Sequence, residues 1–235
     1  MSSRKGNILL FSDMRRMIEQ MIRSKYASSD TIDDETIRRI SIASINYGML
    51  NHDCLKDIVF EMEKWTNNTG NTGPYMLYAY SRIQSILYIR DDGYEGKKFD
   101  LGHKLRQLGI HYQSYVDTNT HTINFPKFLQ SKDGQRFLAM TDYDRDLCTT
   151  NERLLLFQFH RYWCVLLKAK QTNNSSIICE YIFQISQLFS SWYEHVRLTQ
   201  VPLESIPSKV VLLQCTSTIL HSLLLILNIQ PVQKM

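Results

Sequence analysis

Gly70-Asn71-Thr72-Gly73-Pro74-Tyr75-Met76-Leu77-Tyr78-Ala79-Tyr80-Ser81-Arg82-Ile83 begins as a loop and continues as a helix. Asn71 or Thr72 can cap that helix, and Pro74 suits its first turn, where a missing N–H has no partner to lose. The free N–H groups at this end favour an anion such as a phosphate. Met76, Ala79, Ile83, Ile86 and Leu87 recur at helical spacing and make one apolar face. Tyr75, Tyr78 and Arg82 follow at steps of three and four and share a second face. Two aromatic planes and a guanidinium on one face can stack unpaired bases and hold a phosphate. The same spacing suits half-buried tyrosines that pack their rings and leave their hydroxyls in water. Spacing alone leaves both readings open.

The rest of the chain bounds the choice. Its 235 residues suffice for one large domain, or one domain plus an excursion. With only 9 glycines and 5 prolines, long helices are expected and a turn-rich β protein is not. A net charge of +4 and a pI near 8.7 permit nucleic acid as a partner without demanding it. Cys54, Cys148, Cys164, Cys179 and Cys215 are scattered, odd in number and contain no Cys-x-x-Cys pair. They indicate free thiols in a reducing compartment, with no disulfide framework and no metal site. Val210 to Ile229 holds no charged residue over the length a bilayer needs. Gln214, Ser217, Thr218, His221 and Ser222 nevertheless form one stripe of it, opposite Leu212, Leu213, Ile219, Leu220, Leu223, Leu224, Ile226 and Leu227. A two-sided helix of this kind is read as a bundle helix, with no membrane partner.

Outward from the tyrosine stretch, the pattern predicts further helices. One runs from Ser12 to about Lys25, capped by Ser12 or Asp13, with Met14, Met17, Ile18 and Met21 inside. Thr31-Ile32-Asp33-Asp34-Glu35 is an acidic start for a second, in which Ile37, Ile40, Ser44 and Tyr47 recur up to Leu50. Phe60, Met62 and Trp65 read as core. The tyrosine helix is expected to end near Arg90, before a charged turn region at Asp91 to Lys98. From Phe99 to about Leu147 the period fades. Lys104 to Leu108 reads as a short helix, and Tyr112 to Ile123 alternates loosely like a hairpin. Asn151 can cap a helix to Lys170 with Leu155, Phe159, Tyr162, Trp163 and Leu166 inside. Ile177 to about Arg197 has the cleanest period: Ile178, Tyr181, Ile182, Ile185, Leu188, Phe189, Trp192 and Val196. The charged, serine-containing start has the look of a mitochondrial transit segment, against which stand the acids Asp13 and Glu19.

Asn71-Thr72-Gly73-Pro74-Tyr75-x-x-Tyr78-Ala79-x-x-Arg82 resembles the Asn-Thr-(Ala/Gly)-Pro-Tyr-x-x-Tyr-Ala-x-x-Arg signature of arginyl-tRNA synthetases, which opens a helix of their anticodon-binding domain. Met1-Ser2-Ser3-Arg4-Lys5-Gly6-Asn7 looks like the second signature loop of class I synthetases in its arginyl form. Asn46-Tyr47-Gly48-Met49-Leu50 is similar to Lys-Tyr-Ala-Asp-Leu, with Asn46 and Gly48 as departures. Asp57, Phe60 and Lys64 keep the places of Arg-x-x-Asp-Tyr-x-Phe-x-x-(Asp/Glu)-Lys, with Ile58 replacing the tyrosine. Cys179-Glu180-Tyr181-Ile182-Phe183 and Phe189-Ser190-Ser191-Trp192-Tyr193-Glu194 resemble Leu-Cys-Glu-Tyr-Leu-Tyr and Phe-Ser-x-Phe-Tyr-Glu. The end, Ile229-Gln230-Pro231-Val232-Gln233-Lys234-Met235, resembles Ile-x-Pro-x-(Glu)-(Arg)-Met, with Gln233 in place of the acid.

The resemblance covers Met1 to Arg90 and Asn151 to Met235 in the family's order. It implies a mainly α fold, a helical bundle of the class I synthetase anticodon-binding type with an irregular insertion at 91–149. Residues 1–11 would be a remnant of the catalytic domain's signature loop, and 12–235 the anticodon-binding domain. The implied function is that of the tRNA-binding C-terminal part of an ATP-dependent arginine–tRNA ligase. The implied tRNA contacts are Tyr75, Tyr78, Arg82, Tyr193, Arg197 and Met235. The family often has a second aromatic where Arg197 stands; a guanidinium also stacks, but adds charge. Met1, Ser2, Ser3, Arg4, Lys5 and Gly6 would contact ATP, used with magnesium in the complete enzyme. No cofactor is expected for this chain alone, because the sequence has no His-x-Gly-His and no glycine-rich strand–turn–helix. The expected partners are arginine tRNA and either a missing catalytic half or a partner enzyme. The chain is expected to be a monomer of the cytoplasm, with mitochondria as the alternative. A free-standing, non-catalytic tRNA-binding adaptor or a helical scaffold derived from the domain are the competing functions.

Overall fold

The tyrosine helix forms where the sequence places it. The structure, a computed structural model, describes residues 10–27, 32–90, 99–147 and 149–235. The ATP-loop candidates Met1 to Gly6, the charged turn region at 91–98 and Cys148 lie outside the described residues. Among the described residues the helices are α1 (Phe11–Lys25), α2 (Asp34–Leu50), α3 (Met62–Trp65), α4 (Gly73–Leu87), α5 (Leu101–Gln107), α6 (Phe125–Phe128), α7 (Lys132–Ala139), α8 (Tyr143–Asp146), α9 (Thr150–Thr172), α10 (Ser176–His195) and α11 (Ile206–Ile226). No strand forms among them; two isolated antiparallel bridges, Tyr88 with Thr122 and Val116 with Ile123, are the extended pairings. The fold is therefore mainly α, as expected. It packs as two units, one of residues 10–81, 161–186 and 220–235, the other of 82–160 and 187–219.

In the first unit α1 packs on α2. Asp33 caps α2 by accepting from the Thr36 N–H at 2.8 Å. Ile37, Ile40, Ser44 and Tyr47 are buried, as their period requires. The α1 face differs from the prediction. Met14, Ile18 and Ile22 are buried at strict i, i+4 steps, and Met17 is 40% exposed. Leu10 stands at its N-cap with no side-chain cap bond, so neither Ser12 nor Asp13 caps it. Trp65 is buried with the Phe60 ring edge-on at 4.9 Å. The Tyr47 hydroxyl, fully buried, lies 2.5 Å from Asn71 Oδ1 and 2.8 Å from the Cys179 carbonyl. Burial raises the Tyr47 phenol far above its ordinary range and the Cys179 thiol to about 12, so both are packing groups and neither ionises near neutrality. At the end of α11, Asn228 takes a left-handed φ of 55°, and the Ile229 N–H returns to the Leu224 carbonyl at 2.9 Å. The Asn46 amide then donates to the Asn228 carbonyl at 2.9 Å. That contact ties the chain's last turn to α2 through a residue that departs from the family's lysine.

In the second unit, the stretch whose period fades is ordered by caps. Asp100, Asn124, Ser131 and Asp142 each accept a backbone N–H at the start of α5, α6, α7 and α8. Phe125, Phe128 and Phe137 are buried and meet edge-to-face, with centroids 5.7 to 6.3 Å apart. The predicted hairpin at Tyr112 to Ile123 is reduced to a short antiparallel return: after a 3-10 turn, Gln113–Tyr115, Val116 pairs with Ile123, the Asp117 N–H donates to the Thr122 carbonyl at 2.9 Å and the Asn124 N–H to the Tyr115 carbonyl at 2.8 Å. Tyr112 faces inward and accepts from the Arg106 guanidinium at 2.7 Å, which anchors the start of the segment by its side chain.

The long helices divide between the units. In α9, Leu155 is buried, but Trp163 is 76% exposed, against the expectation that it lies inside. One step from Tyr162 around the helix turns Trp163 outward, where its ring meets Tyr162 at 5.2 Å. The cap also differs: Thr149 Oγ1 accepts from the Glu152 N–H at 3.3 Å, and Glu152 Oε2 accepts from the Thr149 N–H at 3.0 Å. This reciprocal pair is a capping box, and Asn151 instead donates to Ser191 Oγ at 2.9 Å. In α10 every residue of the predicted stripe from Ile178 to Trp192 is buried except the half-buried Leu188. The stretch Leu203–Ile226 is long and apolar enough to cross a membrane, and half of it is buried inside this protein. Most of the predicted apolar stripe is buried, namely Leu212, Leu213, Leu220, Leu223, Leu224 and Leu227, and two places differ. Ile226 is 53% exposed, and Ser217 of the polar stripe faces inward with its neighbour Thr216, where both hydroxyls find partners: Thr216 donates to the Leu212 carbonyl at 2.7 Å and Ser217 accepts from Gln84 at 2.6 Å.

Candidate nucleic-acid interface

Of the two cap candidates for α4, Thr72 takes the role, its Oγ1 accepting from the Tyr75 N–H at 3.3 Å. Asn71 is held instead by Tyr47. Met76, Ala79, Ile83, Ile86 and Leu87 are buried, so Tyr75, Tyr78 and Arg82 are carried half-buried on the next face. Rings and guanidinium are thus presented by a helix whose rotation is fixed from behind. In the first unit the Tyr75 ring leans edge-on against Phe183 at 6.0 Å. Phe183 was not singled out as a site residue, although it lies in one of the resembling segments. Met235, also in the first unit, is half-buried and follows the buried Ile229 and Val232 in the chain.

The second unit brings three candidates together. The Arg82 guanidinium carbon lies 4.7 Å from the centre of the Tyr193 ring, within cation–π range. Phe189 lies 6.0 Å from Tyr193 on the same helix. The neighbouring Trp192 is buried, and its indole N–H donates to Glu152 Oε1 at 2.8 Å. Glu152 is paired with the buried Lys209, which also donates to the Asp146 carbonyl at 2.5 Å. Burial pushes the Glu152 carboxyl up, but hydrogen bonds from Lys209, Trp192 and Thr149 outweigh it and hold the group below its ordinary range. Asp146 accepts from Arg145, Ser205 and Ser208 at 2.7 to 3.1 Å. Burial would raise it too, and these donors bring it down to about 2. This buried network pins the end of α10, and so fixes the backbone that carries Tyr193.

A cleft of about 390 Å³ opens beside Tyr193. Tyr193 and Phe99 supply aromatic rings to it, and Ile86, Val196 and Leu198 supply apolar surface. Arg90 and Arg197, with the hydroxyls of Ser85 and Thr199, supply the polar groups, and none of the described lining residues is acidic. The arrangement can take a flat aromatic group with attached negative charge. The sequence reading found Tyr193 and Arg197 and missed Phe99 and Arg90. Both flank the charged sequence 91–98, and no helical period marks them. No group of three or more His, Cys, Asp or Glu side chains able to hold a metal occurs among the described residues.

Residues 128–235 match the DALR anticodon binding domain family. The whole chain is similar to curated arginine–tRNA ligases. It is 23% identical to that of Alkaliphilus oremlandii over 99% of this chain, and 24% identical to that of Fusobacterium nucleatum over 100%. It spans about a third of these relatives, 33% and 35% of their lengths. Among solved structures, it is similar to the arginyl-tRNA synthetase of Thermus thermophilus, with a TM-score of 0.68 and 18% identity, covering 100% of this chain and 33% of that one. The arginyl-tRNA synthetase of Plasmodium falciparum gives a TM-score of 0.60 at 19% identity, covering 95% and 32%.

Proposed function

We propose that the chain is the tRNA-binding part of an arginine–tRNA ligase and reads the anticodon stem-loop of arginine tRNA, because residues 128–235 match the DALR anticodon binding domain family and the chain throughout is similar in fold to a third of an arginyl-tRNA synthetase. The observation that carries this reading is the Arg82–Tyr193 stack, held in place by the buried Trp192–Glu152–Lys209 network. An aromatic ring with a guanidinium on one face and a rigid backbone behind it is prepared for an unpaired base and its phosphate. On this reading Tyr75, Tyr78, Arg82, Tyr193, Arg197 and Met235 contact the loop. Met1 to Gly6 serve ATP and magnesium chemistry only when joined to an adenylate-forming part. The scattered cysteines, with no Cys-x-x-Cys pair in the sequence, favour a reducing compartment such as the cytoplasm. The chain acts there as a monomer.

The test is salt-titrated binding of the chain to arginine tRNA and to the same tRNA with a changed anticodon. Distinctly tighter binding of the native anticodon is expected, with a loss of roughly tenfold or more on Tyr193→Ala, the range for one stacked base. Equal, weak binding with a steep salt slope would mean generic backbone attraction and would overturn the reading. The chain alone is expected to show no arginine-dependent ATP–pyrophosphate exchange.

A further inference from the structure

Phe99, which lies outside the motif segments that carry the sequence resemblance, lines the cleft beside Tyr193. Arg90, on the near side of the charged turn region, contributes a guanidinium to the same cleft. We propose that this cleft is a nucleotide pocket that takes one unpaired nucleotide of the bound RNA, with Phe99 as its base contact and Arg90 as its phosphate contact. The inference rests on the RNA-binding reading above and adds to it a ligand position outside the segments that carry the resemblance.

Three observations support it. The cleft, about 390 Å³, lies at the small end of ligand-sized sites, roughly 300–1,000 Å³, which suits a single base better than a peptide or helix. Its chemistry is that of a nucleotide: two rings and aliphatic walls for the base, hydroxyls for its edge, and two guanidiniums for phosphate. It is also continuous with a proposed RNA contact, because Tyr193 and Arg197 line it. One face of the Tyr193 ring is covered by Arg82. A base reaching Tyr193 is therefore directed to the surface that Arg82 leaves. Arg90 and Arg197 follow the C-terminal ends of α4 and α10, where carbonyl dipoles offset part of their charge. Ring contact should for that reason outweigh phosphate contact.

The experiment uses the full chain and a short arginine anticodon stem-loop RNA, together with versions carrying one abasic residue at each loop position in turn and a fully paired duplex of the same stem. Phe99→Leu keeps an apolar group and removes the ring, and Arg90→Gln removes the charge on a separate side chain. Thermal melting checks that both remain folded. The expected result is a roughly tenfold weaker stem-loop affinity for Phe99→Leu and a smaller loss with a shallower salt slope for Arg90→Gln. The Phe99→Leu loss should vanish at one abasic position and be absent on the duplex. If both variants bind like the unaltered chain while Tyr193→Ala weakens binding, the pocket is overturned and the anticodon reading stands. A Phe99→Leu loss that is the same at every abasic position and on the duplex also overturns it, since no base is then being read. If the unaltered chain does not bind the stem-loop, both readings fall together.

Discussion

Arg82 and Tyr193 are far apart in the sequence, and each reads there as a separate contact. The structure makes them one unit, with the guanidinium 4.7 Å from the ring centre. Arg82 therefore positions Tyr193 as well as adding charge. Arg82→Lys separates the two roles, because lysine keeps the charge and loses the planar stack. Stem-loop affinity is expected to fall about three- to tenfold, in line with a cation–π contact worth about 0.5–1 kcal/mol plus a misplaced ring. Stability in urea should stay within about 0.5 kcal/mol, and near-ultraviolet tyrosine ellipticity should change. An unchanged affinity would remove Arg82 from the site. The candidate residues were legible because motif and helical spacing name them one at a time. Their pairing was not, because nothing in a linear sequence fixes which helix a guanidinium will meet. The support beneath Tyr193 was half legible. Thr149-x-x-Glu152 has capping-box spacing, but the further use of Glu152 to hold Trp192 and Lys209 depends on tertiary packing.

The long elements were the legible ones. α2, α4 and α10 each run for four turns or more with a repeating apolar face, which sets both their type and their inward side. The short helices α5 to α8 have 4 to 8 residues, too few turns for a period to show. Their N-cap residues, Asp100, Asn124, Ser131 and Asp142, mark their starts, a signal the sequence reading did not use. α1 and α9 show a different limit: Met17 and Trp163 are apolar, sit next to the buried stripe, and are exposed. Hydrophobicity names candidates for the core, and a single helical step decides between them. One departure from the family pattern has its cause at this scale. A β-carbon at Gly48 of α2 would collide with the Trp65 ring beside α3, so the family's alanine does not fit here. Gly48→Ala should gain up to about 1 kcal/mol in helix propensity and lose about 1–3 kcal/mol to overpacking. A net destabilisation is expected in urea melts. In a Trp65→Leu background the same substitution should cost little or stabilise, and equal costs in the two backgrounds would show that the ring is not the obstacle.

Across the whole molecule, both compact units draw on the same four helices, since α4, α9, α10 and α11 each give residues to both. A helix does not melt by halves without losing its cooperative ladder, so a single unfolding transition is expected. Acid should trigger it from the buried carboxylates. Asp146 is held at about 2 against an ordinary 3.8, so its contribution is complete above pH 3.8 and disappears as the pH falls through about 2. Glu152 is also held below its ordinary 4.5, and its protonation leaves the Lys209 ammonium buried without a counter-charge. Stability should be flat with respect to these groups above about pH 5 and decline from there toward pH 2. Acid titration by far-ultraviolet circular dichroism checks this, and a Glu152→Gln variant should be less stable at neutrality and lose less on acidification. The three tryptophans make these changes visible without labels. Trp65 and Trp192 are buried and Trp163 is 76% exposed. A dissolved quencher therefore silences Trp163 first, and Trp163→Phe leaves a fluorescence signal from buried indoles alone. One of those indoles is bonded to Glu152 and adjacent in the chain to Tyr193, so its emission should respond both to the loss of that carboxylate's charge and to the arrival of an RNA loop.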